Sequence, residues 1–307
     1  MSERIIHIRL LVVALIWGFG WPAGRIVAQE VEPLTAATLR YLLVIVLFLF
    51  YLKATHQWLI PTRHQWKLIF SIAFLSTFLY QVFFMLGVGH TAAGDASLMI
   101  TFNPLFTSIL AIFFLNEHMN RFKIIGVFLG LSGMLILFLD SPNTQIPQGD
   151  RWLGNSFIAC AALAWAGSSI MMKIAMQDSS RTNDKGLSPL HLTVWASVAG
   201  FMILLPLAAI EIFTHPIPTI SDQTVISIVF LATFSTVLSY VWFADGILKI
   251  GAARASYYVY LVPPFGILGG TILLDEHMST SLIFAFVLIV GGVMLAQKND
   301  KQSEQSS

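Results

Sequence analysis

Apolar residues in this chain come in long unbroken runs rather than in alternation or on one helical face. Ten runs of 18 to 24 residues, nearly free of charge and bounded by Lys, Arg, Asp, Glu, Pro or Gly, cover about 8–28, 34–52, 67–89, 93–115, 122–140, 153–174, 190–211, 224–247, 253–274 and 280–297. A run of that length crosses a hydrocarbon layer of about 30 Å as a helix. A helix is the form required because it satisfies every backbone N–H and C=O within its own segment. The pattern predicts an all-α membrane protein with ten transmembrane helices. The longest connections, 140–151, 177–189 and 214–223, are too short to hold a further domain.

Composition narrows the class. Of 307 residues, 56% are hydrophobic and 11% charged, against about 25% charged in soluble domains; mean hydropathy is +0.77. Ten spans of about 20 residues use roughly 200 positions, which leaves no room for an appended enzyme module. A formal charge of +1 without a basic run argues against nucleic acid as a partner. The single cysteine, Cys160, lies in an apolar run and excludes an internal disulfide framework and a cysteine-based metal site. No metal or cofactor is expected; the expected partners are the lipid bilayer and a small-molecule substrate.

The placement of Lys and Arg gives an orientation, because positive loops stay cytoplasmic. With the N-terminus inside, inner segments hold Arg4, Arg9, Lys53, Arg63, Lys67, Arg121, Lys123, Lys173, Arg181, Lys185, Lys249, Arg254, Lys298 and Lys301, whereas outer segments hold Arg151. Arg25 and Arg40 fall inside spans. Both termini are therefore expected in the cytoplasm, in a plasma membrane (the inner membrane of a Gram-negative cell). Arg4 and Arg9 also resemble the basic flank of a secretory leader, but the first run continues through Trp17, Trp21 and Arg25 to spanning length.

The chain also matches itself. Ala14-Leu15-Ile16-Trp17 lies over Ala162-Leu163-Ala164-Trp165, with Arg25 on Lys173 and Gln29 on Gln177; a slightly larger offset puts Ala93 on Ala252, Ser97 on Ser256, Pro104 on Pro263 and Gly133 on Gly292. Leu115-Asn116-Glu117-His118-Met119 falls on Leu274-Asp275-Glu276-His277-Met278. Shared apolar composition explains the Leu and Ala matches, but not a repeated Glu-His-Met and a repeated Pro. The expected units are 1–150 and 151–299, with 300–307 as a cytoplasmic tail. Each holds five spans, an odd number, so the second must be inverted relative to the first, an arrangement typical of secondary transporters with a midplane site at the repeat interface.

These residues carry a family resemblance. Trp17-Gly18, Arg40-Tyr41, Asn103-Pro104-Leu105-Phe106, Leu115-Asn116-Glu117, Trp165, Lys173, Val262-Pro263 and Leu274-Asp275-Glu276 occur in order, with glycine stripes at Gly126, Gly130, Gly133, Gly291 and Gly292. In this the chain resembles the ten-span EamA-type members of the drug/metabolite transporter superfamily over about residues 8 to 297. The resemblance implies transport of small molecules such as amino acids, sugars, nucleotides or drugs, mostly outward in bacteria. His90 and Asp95, flanking the short turn before the fourth span, depart from the family's small or apolar residues there.

Candidate transport residues follow from cost. Pro22, Pro104, Pro263 and Pro264 each free a carbonyl four residues back and are expected to bend helices around a cavity. Trp17, Tyr80, Gln81, Asn103, Trp165, Ser239 and Tyr260 lie near span midpoints, where polar groups turn inward. Trp21 shares a helix face with Trp17, and Tyr257 with Tyr260. The set describes an aromatic-walled pocket for an amphipathic or zwitterionic solute; packing between helices and interfacial belts are the alternative uses of such rings. Arg25, about a turn from the outer end, is placed to snorkel to headgroups. Arg40 lies roughly 10 Å deep and needs an interior partner, either backbone carbonyls at a bend or a substrate carboxylate. Asp245 and Lys249 suit a helical ion pair, and His90 with Asp95 is a candidate titratable gate. No span holds a midplane Asp or Glu for a carboxylate proton relay.

The reading these features favour is a secondary transporter exporting amino acids or related compounds by alternating access. The same fold also suits a multidrug or other-metabolite transporter, including uptake. An intramembrane enzyme or a non-transporting sensor fits less well, because the histidines divide between the two ends.

Overall fold

The computed structural model describes residues 3–115, 121–139, 146–181, 187–215, 219–250, 255, 257–277 and 280–296. Helix α1 is Glu3–Glu30, and α2 is Pro33–Ala54, opened by a proline whose missing N–H would be unpaired there anyway. Helix α3 joins Arg63–Ala73, a π-helical stretch Phe74–Leu79 and Tyr80–His90. It starts at a capping box, in which Thr62 accepts from the Gln65 N–H and the Gln65 side chain accepts from the Thr62 N–H. Helix α4 joins Ala93–Met99, a 3-10 turn Ile100–Phe102 and Asn103–Leu115. Helix α5 is Arg121–Leu139, α6 is Gln148–Arg181 and α7 is Pro189–Thr214. Helix α8 joins Asp222–Phe230, a second π-helical stretch Leu231–Leu238 and Ser239–Ile250; α9 joins a 3-10 turn Tyr257–Leu261 to Val262–Leu274; α10 is Thr280–Ala296. Among the described residues all regular structure is helical. Seven helices among the described residues are long and apolar enough to cross a membrane, and Ile124–Ile136, Tyr258–Leu274 and Thr280–Gly292 are shorter apolar ones.

The prolines expected to bend helices fall at two kinds of place. Helix α1 runs unbroken through Pro22. Pro263 and Pro264 open the α-helical part of α9 directly after its 3-10 turn, where a proline costs no hydrogen bond. Pro104 holds the matching place in α4, second in Asn103–Leu115 after the Ile100–Phe102 turn; its side chain lies outside the described residues. Pro104 and Pro263 thus mark a change of helix type at equivalent places in the two halves.

Packing follows a regular scheme. Helix α2 packs on α7, α4 on α9, α5 on α10, α3 on α6 and α1 on α8, with further contacts of α1 to α9 and α6 to α4. Exchanging the first five helices with the last five maps these pairings onto one another, whereas α1 with α3 and α4 with α10 pack more extensively than their exchanged counterparts. The paired helices run antiparallel. Glu211, near the C-terminal end of α7, accepts from the N–H groups of Leu34 (3.2 Å) and Thr35 (2.6 Å) at the start of α2. A Cβ on Gly292, late in α10, would lie 2.6 Å from the Gly126 carbonyl early in α5, while one on Gly133 would lie 2.9 Å from the Ala285 carbonyl. Phe50, Phe113, Phe128 and Phe213 point outward from the bundle, which suits a lipid solvent rather than water.

Candidate functional site

A continuous chain of aromatic rings crosses the middle of the bundle. Trp21 of α1 meets Phe84 of α3 at 5.2 Å between centroids, and Phe84 stacks on Tyr80 at 6.0 Å. Tyr80 meets Trp165 of α6 at 5.0 Å, Trp165 meets Tyr240 of α8 at 6.0 Å, and Tyr240 meets Trp17 at 6.2 Å. Trp17 then contacts Phe243 at 5.1 Å, and its indole N–H donates to the Ser235 carbonyl at 2.9 Å. That carbonyl lies in the second π-helical stretch. Hydroxyls bond back across both stretches: Thr236 to the Leu231 carbonyl (2.8 Å) and Ser239 to the Phe234 carbonyl (2.7 Å), each five residues back, and Ser76 to the Ile72 carbonyl (2.8 Å). Such side-chain competition with the backbone ladder accompanies π turns, which occur often at functional sites.

Arg40 sits among these elements and is 7% exposed. Its Nη1 donates to Gln81 Oε1 at 3.2 Å, its Nη2 donates to Thr236 Oγ1 at 2.8 Å, and its guanidinium lies 5.9 Å from the centre of the Phe84 ring. Gln81 in turn donates to the Tyr41 hydroxyl at 3.3 Å. These partners are uncharged, and Arg40 Nε has no hydrogen-bond partner.

The two ends of the bundle differ. At one, Arg9 lies 3.5 Å and Lys249 4.0 Å from the Asp245 carboxylate, so the expected helical pair is present and α1 joins it. Beside it Arg4, His7, Ile8, Leu11 and Tyr258 line a shallow groove open to the outside of the bundle, with the His7 ring 2.7 Å from the Tyr258 hydroxyl. At the opposite end, Asp275 takes a left-handed conformation (φ 52°), which Asp tolerates better than most residues, and turns Glu276 back into the bundle. Glu276 is 8% exposed; its carboxylate accepts from the N–H groups of Ala93 (2.7 Å) and Gly94 (3.0 Å) and lies 3.8 Å from Arg25 Nε. Arg25 also donates to the carbonyls of Val88 and Thr91. One carboxylate therefore caps α4, neutralises a cation of α1 and ties both to α9. The Thr91 hydroxyl donates to Asn155 of α6 at 2.7 Å, and a Cβ on Gly154 would lie 2.7 Å from the Thr91 nitrogen. This end is closed.

Two segments, 4–139 and 152–297, match the model of the EamA-like transporter family. The chain belongs to the EamA-like transporter family. A probable amino-acid metabolite efflux pump of Escherichia coli is 25% identical to it over 290 residues, covering 93% of this chain and 92% of its own. An uncharacterized transporter of Bacillus subtilis, YetK, is 22% identical over 303 residues, covering 97% and 88%. A solved crystal structure, 17% identical, superposes with a TM-score of 0.61 over 99% of this chain and 100% of its own, a likeness of fold.

Within this EamA-like chain the candidates divide. Trp17, Trp21, Arg40, Tyr80, Gln81 and Trp165 converge at the centre. Asn103 instead accepts from Thr107 within its own helix at 3.1 Å, Ser239 is spent on the α8 backbone, and Tyr260 is buried in the apolar core. The Tyr257 side chain lies outside the described residues. Arg25 is not a snorkelling residue: with its side chain 12% exposed, it turns inward because Glu276 and two carbonyls offer more than headgroups do. His90 turns to the Leu86 carbonyl (2.8 Å) and the Phe157 ring, while Asp95 is fully buried. Glu117 lies outside the described residues. The sequence pairs Phe84 with Tyr80 on one helix face, as the structure does; Thr236, Tyr240, Phe243 and the buried role of Glu276 were passed over.

Proposed function

We propose that this transporter exports amino acids or related small metabolites by alternating access between two inverted five-helix repeats, 1–150 and 151–299, in the plasma membrane with both termini cytoplasmic. The observation that carries this reading is an aromatic centre holding one buried cation, lying between helices tied together by Glu276 at one end and a basic opposite end. Such a centre gives an ammonium group aromatic faces and a carboxylate an arginine. The antiparallel pairing of like helices supplies two units able to rock about that centre, and the efflux-pump relative supports the outward direction and the solute class. The reading is tested in proteoliposomes preloaded with labelled amino acids. Efflux accelerated by this protein is the expected result; no efflux of any amino acid, beside an active control transporter, overturns it.

Trp165→Ala should lower apparent solute affinity about tenfold, since it removes ring contacts with both Tyr80 and Tyr240, each pair worth about 0.5–1.5 kcal/mol. The measurement is the concentration dependence of efflux, normalised to folded protein in the vesicles.

A further inference from the structure

We infer that Arg40 is the receptor for a carboxylate on the transported solute, an inference that rests on the transport reading and names the chemistry of its site. An arginine with 7% exposure inside a bundle carries a desolvation penalty of several kcal/mol, which neutral partners offset only in part. The chain treats its two buried arginines differently. Arg25 receives a carboxylate from Glu276. Arg40 receives an amide oxygen from Gln81, a hydroxyl from Thr236 and the face of Phe84, and among the described residues no Asp or Glu forms an ion pair with it.

Donor arithmetic points the same way. A guanidinium has five N–H donors in a planar fork; Arg40 spends two on Gln81 and Thr236, and its Nε remains without a partner. A carboxylate is the complement of such a fork, taking two parallel charge-assisted hydrogen bonds. A neutral amide or alcohol cannot supply that charge. The position suits a ligand too. Arg40 bridges Thr236 in one π-helical stretch and Gln81 directly after the other, beside the Tyr80, Phe84, Trp165 and Tyr240 rings. The solute that fits has one carboxylate on a compact, mainly apolar body, with any ammonium group resting on the rings.

The test is calorimetric binding to the purified full-length protein in detergent. The probes are the free amino acids, their carboxamides and a long-chain fatty acid, the last to separate a lipid carboxylate from a soluble one. Wild type should bind at least one amino acid about ten- to a hundredfold more tightly than its amide, the span expected of charge-assisted hydrogen bonds. Arg40→Gln should erase that ratio. Gln81→Glu guards against a misfolded arginine variant: it sets a carboxylate where an amide oxygen lies 3.2 Å from Nη1, so it should raise the melting temperature of the empty protein and weaken acid binding by a similar factor. An arginine serving structure alone would gain the stability and leave the acid-to-amide ratio unchanged. The inference is overturned if no amino acid binds, if acids and amides bind alike, if only the fatty acid binds, or if Gln81→Glu keeps the acid preference. Acid binding that depends on Arg40 without flux in vesicles would refute transport and leave the site standing; flux without acid preference would do the reverse.

Discussion

Glu276→Gln should cost up to about 3–5 kcal/mol of stability, the range for removing one partner of a buried ion pair and leaving the other charge uncompensated, reduced by the weaker pull of Asp95 on Arg25. The glutamine has the right shape and the wrong chemistry. Both carboxylate oxygens are in use, Oε1 toward the Ala93 N–H and Arg25 and Oε2 toward the Gly94 N–H. An amide would keep one acceptor and aim an NH2 group at a second donor. Arg25 would remain largely buried, held by two carbonyls and with the buried Asp95 carboxylate, whose pull on it is weaker than that of Glu276, as its remaining counter-charge. Thermal unfolding in detergent, followed by helical circular dichroism, measures the loss. The charge-swapped double variant Arg25→Glu with Glu276→Arg should not recover it, because an arginine cannot accept from the two N–H groups at the head of α4. Full recovery would mean that the ion pair matters and the cap does not. If this contact also holds that end closed, Glu276→Gln should make Thr91→Cys more reactive toward a membrane-impermeant thiol reagent than it is in a Glu276 background, with exposed Cys160 removed in both.

How much of this was legible depends on the range of the signal. Helix positions came through with every end within about seven residues, the largest miss being 153–174 against Gln148–Arg181, since an apolar run is a local property and the bilayer length filters it. The cluster of Trp17, Arg40, Tyr80, Gln81 and Trp165 was legible because polar and amphipathic groups at midspan have nowhere else to go. Glu276 was visible as half of a repeated motif, but its burial was not. At a helix end a glutamate ordinarily meets solvent, and here its direction depends on the left-handed turn at Asp275 and on an N-terminus from far upstream. The π-helical stretches left a signal that went unused. Ser76-Thr77 falls on Ser235-Thr236 at the same offset that places Ser97 on Ser256, and these paired hydroxyls lie in the two stretches where the α-helical ladder widens. Tyr240, beside Ser239, was passed over because one tyrosine in an aromatic-rich span is unremarkable until Trp165 and Trp17 are seen on either side of it.

Gly18→Val is expected to abolish the folded, transporting form. At Gly18 α1 packs directly on α9: a Cβ there would stand 2.3 Å from the Cβ of Phe265 and 2.9 Å from the backbone nitrogen of Gly266. Neither neighbour can rotate away, since one is the root of a side chain and the other is main chain, so relief requires the helices to separate. Apolar pairs cannot recover that separation in lipid, where helix association depends on close packing and not on expulsion of water. The displacement would also move Trp17, the next residue, off the Ser235 carbonyl and its two ring partners. Even alanine at position 18 should be costly, at the 1–3 kcal/mol of an overpacked core or above. Gly89→Ala is the matched control, because its Cβ would meet nothing nearer than 3.7 Å and helix propensity favours alanine over glycine by about 1 kcal/mol. The readouts are monodispersity on size exclusion and efflux per folded molecule. A Gly18→Val protein that stays monodisperse and transports at the wild-type rate would show that the contact of α1 with α9 opens freely during the cycle, and that the close approach belongs to one state of the transporter rather than to its fold.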